Sequence, residues 1–322
     1  MSKILITGAS GFIGSALCHR LASDNKVLGI YNKNRPVNDK NALFVKADLL
    51  DLNAIDVLCK NFIPEVVIHT AGIAHQKIGA ADSDAYAAVN CIAAENLAKA
   101  AAKINPSVYF IFLSSVSVYG EKNLHIPVSE VSECNPSSEY AASKLDAEKR
   151  LIALAENGIL YNLNILRLGP VYDREWSLNL DRRVPSPMNL AYIRFGSGLR
   201  KISALARPNL VDFVCFLIQK EFQTPPVNIF NVCDNKVYEF KEIIRIFKTC
   251  GIRRNLPVIA LPMIFVRLAA VISGIVFPGK RKWICSSYDK LSLDLIFDNS
   301  KMLKTGFQPD HSLETVFPSA GK

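Results

Sequence analysis

Tyr140 and Lys144 are four residues apart, a spacing that puts both side chains on one helix face a turn apart, with Ala147 and Leu151 continuing the stripe. An ammonium beside a phenol favours the phenolate and lowers a pKa of about 10, which makes such a tyrosine a proton acceptor or donor near neutrality. An ordinary solvated helix face also carries Tyr-x-x-x-Lys, so its place along the chain gives it weight. Two other constellations share that half of the chain. Gly8-Ala9-Ser10-Gly11-Phe12-Ile13-Gly14 directly follows the apolar run Lys3 to Thr7. Glycines there let the backbone turn tightly and bring free helix N–H groups up to a phosphate. Ser114-Ser115-Val116-Ser117 closes the run Val108 to Leu113, and ligands of open α/β sheets bind beyond the carboxyl ends of the strands.

These groups need a sheet to hold them. Strand-like runs at 3–7, 27–31, 42–45, 66–70, 108–113 and 159–167 alternate with helical stretches. Among the helices are Phe12 to Ser23, the Ala-rich Asp82 to Lys103, and Asn135 to Asn157, which opens on Asn135-Pro136 as a cap and stops at Gly158. The alternation predicts an α/β fold: a doubly wound parallel Rossmann sheet over residues 1–169 and a smaller C-terminal α/β substrate domain over 170–322, with the segment around 205–222 returning to the Rossmann core. In the second half, Pro225 to Cys233 and Leu291 to Asp298 read as strands, and Glu239 to Cys250 as a helix with Ile243, Ile246 and Phe247 on one face.

With these elements in place, the chain resembles the extended short-chain dehydrogenase/reductases, the NAD-dependent epimerase/dehydratase family typified by UDP-galactose 4-epimerase. The matching features are Thr7-Gly8-x-x-Gly11-x-x-Gly14, Ala47-Asp48-Leu49, His69-Thr70-Ala71-Gly72, Asn90, the run from Ser114 to Gly120, and Tyr140-Ala-Ala-Ser-Lys144. The resemblance implies that Gly8, Gly11 and Gly14, with Phe12 and Ile13, hold a cofactor pyrophosphate. It places Asp48 and Leu49 at the adenine, and Thr70, Ala71 and Gly72 on the path to the nicotinamide ribose. Tyr140 would be the acid/base, Lys144 would bind the ribose and tune the tyrosine, Ser115 would bond the reacting oxygen, and Asn90 would be a helix residue supporting the cofactor site. Ser117 joins the substrate side. His75 follows the strand ending at His69 closely enough to enter the site, although a polar loop residue is the commoner reading.

One departure bears on the cofactor. NAD-using relatives place an acid after the second strand, whereas this chain reads Tyr31-Asn32-Lys33-Asn34-Arg35. Without a carboxylate to repel a 2′-phosphate, and with Lys33 and Arg35 at hand, the expectation is NAD or NADP, with NADP slightly favoured. The family pattern also puts a basic residue against the substrate diphosphate. Arg200 and Lys201 are the candidates here, in a basic stretch that includes Arg182, Arg183, Arg194 and Arg207.

The chain has 322 residues, 38 Lys/Arg against 29 Asp/Glu, for a formal charge of +9. Residues 1–161 hold 15 basic and 16 acidic side chains and residues 162–322 hold 23 and 13, so the excess lies in the second half. No nucleic-acid motif accompanies the charge, which suits a nucleotide-diphosphate sugar better. Eight cysteines without a CxxC pair, and five histidines without ligand spacing, predict neither disulfides nor a metal site. The opening Ile4-Leu5-Ile6 is too short for a secretory h-region, so the expected location is cytoplasmic. Val258 to Phe277 is strongly apolar, and Pro278-Gly279-Lys280-Arg281-Lys282-Trp283 follows it. The leading expectation is a helix packed on the core or on a second subunit of a homodimer. Peripheral membrane contact through 258–283 is the alternative.

The function expected from the resemblance is an NAD(P)-dependent nucleotide-sugar epimerase acting at C4 through a transient 4-keto intermediate, in surface polysaccharide precursor metabolism. The rival within the fold is an NADPH-dependent reductase of a 4-keto nucleotide sugar or other carbonyl. A non-catalytic dinucleotide-binding regulator or membrane-associated scaffold is the rival from another class, and the presence of Ser115, Tyr140 and Lys144 together disfavours it.

Overall fold

The computed structural model describes residues 1–36, 41–73, 83–121, 124–181, 183–184, 190–220 and 226–319. Its first elements are β1 (Lys3–Thr7), α1 (Phe12–Leu21), β2 (Lys26–Tyr31), β3 (Leu43–Lys46), α2 (Leu52–Phe62) and β4 (Val66–His69). Next, α3 (Ser83–Tyr86) runs through a π-helical turn, Ala87–Ile92, into α4 (Ala93–Ile104), followed by β5 (Tyr109–Ser115), α5 (Glu139–Glu156) and β6 (Asn162–Leu168). Short elements follow: β7 (Val171–Tyr172), α6 (Leu178–Asp181), β8 (Tyr192–Phe195), β9 (Lys201–Ser203) and β10 (Leu205–Ala206). Then come α7 (Arg207–Lys220), β11 (Val227–Val232), β12 (Val237–Glu239), α8 (Phe240–Thr249), β13 (Val258–Leu261), α9 (Met263–Val276), α10 (Arg281–Ser292), α11 (Ser300–Lys304) and α12 (Leu313–Val316). The chain divides into two compact units, one of residues 1–118, 139–167 and 211–230, the other of 119–138, 168–210 and 231–322.

A seven-stranded sheet in the order β11-β6-β5-β4-β1-β2-β3 forms the core of the first unit. β1 pairs in parallel with β2 and β4, β2 with β3, and β4 with β5. Strand order reverses between β1 and β4, so their carboxyl ends, Thr7 and His69, lie side by side where an open α/β sheet has its crevice. Alternating residues of the strands, Phe110 and Phe112 of β5 and Leu163 and Ile165 of β6, turn to one face. There they meet Leu97, Ala98 and Ala101 of α4 and Ala147, Leu151 and Leu154 of α5. The alanines of α4 let α2 and α5 approach closely on either side.

The second unit is built from short strand pairs: β10 with β7 and β13 with β8 in parallel, β12 with β9 antiparallel. α8 buries Phe240, Ile243, Ile244, Ile246 and Phe247, the one-sided pattern its sequence predicts. At its centre the Asp234 carboxylate accepts from the Tyr172 hydroxyl (2.7 Å), the Asn209 amide (2.7 Å) and the Ala206 N–H (2.8 Å). Burial pushes that carboxyl up to about 6 against those bonds.

Three expectations are corrected. α5 begins at Glu139 rather than at an Asn135 cap, because residues 119–138 belong to the second unit, where the Ser137 hydroxyl bonds the Glu121 carboxylate and Asn135 crosses Gly120. The strand expected over Leu291 to Asp298 is absent. α10 runs to Ser292, and Leu295 and Phe297 make single bridges to different partners, Ile202 and Val128. The apolar 258–277 segment is a strand followed by a helix, and no residue of that helix, α9, is buried, so it does not pack into the core as expected.

Candidate active site

β1 ends where Gly8 turns the chain at φ +66°, a conformation that costs glycine nothing. The Gly11 N–H bonds the Gly8 carbonyl at 2.8 Å, and Gly11 caps α1 without a side chain, no acid standing in the first turn. A Cβ on Gly14 would overlap the Gly8 carbonyl oxygen, and one on Gly8 would stand 2.7 Å from Thr70 Oγ1. Only glycine therefore fits. The turn presents backbone and a positive helix end rather than side chains, with Phe12 and Ile13 half-buried in that first turn.

The adjacent strand ends are tied together. Thr70 Oγ1 donates to the Thr7 carbonyl (2.6 Å), and the Ala71 N–H donates to Thr7 Oγ1 (3.3 Å). The Thr7 hydroxyl also bonds His69 Nδ1 at 2.9 Å. Asn90, fully buried in the π-helical turn, clamps the loop after β4. Its Oδ1 accepts from the Ile73 N–H (2.7 Å), while its Nδ2 donates to the Ile73 carbonyl (3.1 Å) and to Ser143 Oγ (3.0 Å) on α5. A π-helical turn displaces one residue from the α ladder, a distortion that recurs at functional sites.

Lys144 is buried. Its Nζ donates to the Leu113 carbonyl at 2.8 Å and sits 4.6 Å from the Phe112 ring centre. A Cβ on Gly72 would lie 3.0 Å from Asn90 Oδ1, a tight contact that the glycine avoids, and 3.5 Å from that Nζ. Burial pulls the lysine down to about 8, with Glu148, one turn further along α5, opposing. Tyr140 is half-buried and hydrogen-bonded to Ser115, whose Oγ accepts from the Ser117 N–H (3.2 Å) and hydroxyl (2.9 Å). Three hydroxyls, Ser117, Ser115 and Tyr140, thus form a chain at the end of β5.

The sequence reading has Lys144 lowering the phenol, and the structure corrects it. Burial raises Tyr140, the Ser115 hydrogen bond opposes that rise, and Tyr86 adds to it. The cation is turned to the Leu113 carbonyl and the Phe112 ring, and its own charge is disfavoured by burial. A second group also escaped sequence reading. Glu148 accepts from Ser114 Oγ at 2.5 Å and pairs with Arg167 of β6. Its signal is the i+4 continuation Tyr140, Lys144, Glu148 along one helix face.

The glycine turn, Thr70 to Gly72, Asn90, Ser115, Ser117, Tyr140 and Lys144 all belong to the first unit. Asn32, Lys33 and Arg35 are exposed beyond β2 with no acid among them; beyond β3, Asp48 is exposed and accepts from the Leu50 N–H (3.0 Å), whereas Leu49 is buried. Arg200 and Lys201 are exposed in the second unit. Arg200 faces Asp294 at 3.8 Å, and the Lys201 N–H bonds that carboxylate at 2.9 Å. His75 and Arg182 lie outside the described residues. No cluster of ligating side chains suited to a metal occurs among the described residues.

The chain is 34% identical over 177 residues to a UDP-glucose 4-epimerase of Mycolicibacterium smegmatis, a match covering 52% of this chain and 55% of the relative. It is 31% identical over 172 residues to methionine adenosyltransferase 2 subunit beta of Bos taurus, covering 53% and 47%. The chain thus spans about half the length of the curated relatives it matches. Among solved structures, a UDP-glucose 4-epimerase of Thermotoga maritima with UDP-glucose superposes with TM-score 0.74 at 22% identity, covering 98% of this chain and 96% of that one. A UDP-glucuronic acid 4-epimerase of Bacillus cereus in complex with UDP-glucuronic acid and NAD gives the same values. The profile of the NAD dependent epimerase/dehydratase family matches residues 4–233, and the chain belongs to that family.

Proposed function

We propose that this chain is an NAD(P)-dependent nucleotide-sugar epimerase acting at C4 of the sugar through a transient 4-keto intermediate, in the supply of surface polysaccharide precursors. The observation that carries the reading is the hydroxyl chain Ser117, Ser115 and Tyr140 at the end of β5, beside Lys144 anchored on the Leu113 carbonyl. The side-chain-free turn of Gly8, Gly11 and Gly14 suits a pyrophosphate, and on the family pattern Gly72 and Lys144 would meet the ribose and Asp48 and Leu49 the adenine. When bound, the nicotinamide supplies the hydride acceptor and donor that inversion at C4 requires.

The chain's own residues handle the proton and the oxygen. Tyr140 takes the proton of the C4 hydroxyl and later returns it. Ser115 steadies the developing charge on that oxygen, and Ser117 holds Ser115 in place. Burial keeps the resting phenol protonated, so the hydrogen bond from Ser115 is what makes the phenolate accessible during the reaction. Arg200 and Lys201 of the second unit are the proposed partners of the diphosphate. All eight cysteines are free thiols, which suits a reducing cytoplasm.

Tyr140→Phe tests the mechanism. Turnover of UDP-sugars should fall at least about a thousandfold, the upper part of the range for a general acid/base, with nucleotide binding intact. Normal turnover by that variant would overturn the assignment. A second reading, a reductase that consumes NADPH, is favoured by the absence of an acid after β2. Retained NAD on purification supports the epimerase, and exchangeable NADPH consumed with product supports the reductase. For the latter, Lys33→Glu with Arg35→Glu should weaken NADPH at least tenfold and leave NADH unchanged.

A further inference from the structure

α9 is built inside out. At 100° per residue, Ile264, Phe265, Leu268, Val271, Ile272 and Ile275 fall on one arc of the helix and all are more than half exposed, Ile275 at 74%. Met263, Val266, Ala270, Ser273 and Gly274 fall on the opposite arc and are the half-buried ones. The bulky apolar face looks outward, and the smaller, partly polar face meets the protein. Single exposed aliphatic residues are ordinary, but a contiguous stripe two helical turns and more in length marks an interaction surface. Phe277 and Trp283, both exposed, extend it past the end of the helix.

The charge around the stripe has one sign. Residues 243–288 contain no Asp or Glu but eight Lys or Arg. Arg253 is taken up by Asp181, whereas Lys280 and Arg281 stand exposed just beyond α9. α10 packs on α9, with the Arg281 stem in ordinary van der Waals reach of Gly274 in its last turn. Lys280 and Arg281 thus follow the C-terminal end of α9 directly, exposed on the same element pair that carries the stripe. No helix among the described residues is long and apolar enough to cross a membrane. At 14 residues, α9 is about 21 Å long.

We infer that the α9 stripe and the Lys280–Arg281 rim together form a docking surface for an anionic lipid bilayer, with α9 lying in the plane of the interface. The aliphatic side chains enter the boundary between headgroups and acyl chains, Trp283 sits at headgroup level, and Lys280 and Arg281 meet lipid phosphates. An acidic protein would answer the cations as well, but the six α9 residues of the arc, Ile264 to Ile275, carry no hydrogen-bonding side chain with which to recognise one. Hydrocarbon asks for none.

Co-sedimentation of the full chain with vesicles tests this. Vesicles of mixed phosphatidylglycerol and phosphatidylcholine should retain the protein at low salt, and pure phosphatidylcholine should retain much less. Lys280→Gln with Arg281→Gln should weaken partitioning about 30-fold, the product of two headgroup contacts, and added salt should do the same. Ile264→Ser with Ile275→Ser should reduce it at least tenfold. All four positions are exposed, so circular dichroism and nucleotide binding should be unchanged in these variants and serve as the folding control. Failure to sediment with the anionic vesicles overturns the inference, as does sedimentation that the charge variant leaves unaltered. So does self-association abolished by Ile275→Glu in a protein that ignores vesicles, which would show a second copy covering the face.

Discussion

The carboxylate of Glu148 and the guanidinium of Arg167 meet inside the first unit with Nη2 2.7 Å from Oε2 and Nε 3.2 Å from both oxygens, neither side chain more than 5% exposed. The pair joins α5 to β6, and the Ser114 hydroxyl adds β5. It therefore sets the distance between the helix that carries Tyr140 and Lys144 and the strand end that carries Ser115. Removing one partner strands a buried charge, so Glu148→Ala should cost about 3 to 5 kcal/mol in urea unfolding. Glu148→Gln keeps the shape and the Ser114 contact. It should cost less stability yet shift the pH profile of turnover, because Glu148 is the group that supports the charge on Lys144.

Lys144 makes stability depend on alkaline pH. Its folded pKa, about 8, lies below the ordinary 10.5, so the unfolded chain binds more protons between those values and stability rises with pH across that window. The contribution is complete above about 10.5 and is lost as pH falls through about 8. The difference in urea midpoint between the parent and Lys144→Met should change over that range by an amount equivalent to at most about 3 kcal/mol. A difference independent of pH would show that Lys144 titrates normally.

His69 acts on the acid side. It stacks against the Phe110 and Phe112 rings of the neighbouring strand, and its Nε2 is one of the buried polar atoms without a partner among the described residues. Burial, with Lys144 adding repulsion, holds it down at about 3. The stability it contributes is present above about pH 6.5 and is lost as pH falls toward 3. Between pH 6.5 and 4.5 this amounts to about 2 to 3 kcal/mol, and His69→Asn should flatten that part of the stability curve.

Gly14→Ala tests the turn. A methyl group there collides with the Gly8 carbonyl, so either the turn opens or α1 shifts. Calorimetric titration should show nucleotide affinity falling at least tenfold, with about 1 to 3 kcal/mol of stability lost to overpacking. Gly279→Ala, with nothing within 4 Å of the added carbon, is the matched control and should change neither.

Much of this site is legible in the sequence because its signals are local. The glycine turn lies within seven residues directly after a strand, and Tyr140 to Lys144 is a single helical turn. The Glu148, Arg167 and Ser114 network needs three elements brought together, and nothing in the neighbourhood of any one of them announces the other two. In the second unit, strands of two to four residues and the single bridges at Leu295 and Phe297 leave too few residues for a period-2 pattern to register. α9 defeats the reading for another reason: apolar residues are expected inside, and here the sequence places its largest ones outside. The upward shift of Tyr140 follows from burial in the folded chain, against the Ser115 hydrogen bond, which spacing along one helix does not encode.

The edge position of β11 has a consequence for how this chain can be made and cut. β6 is hydrogen-bonded to β5 on one side and β11 on the other, yet β11 is drawn from residues 227–232, about sixty positions further on. During synthesis the nucleotide-binding half therefore waits with an unpaired strand, Leu163, Ile165 and Leu166 included, until most of the protein has left the ribosome. A fragment ending near residue 169 would carry that bare edge permanently and should aggregate, whereas one extended past Val232 would not.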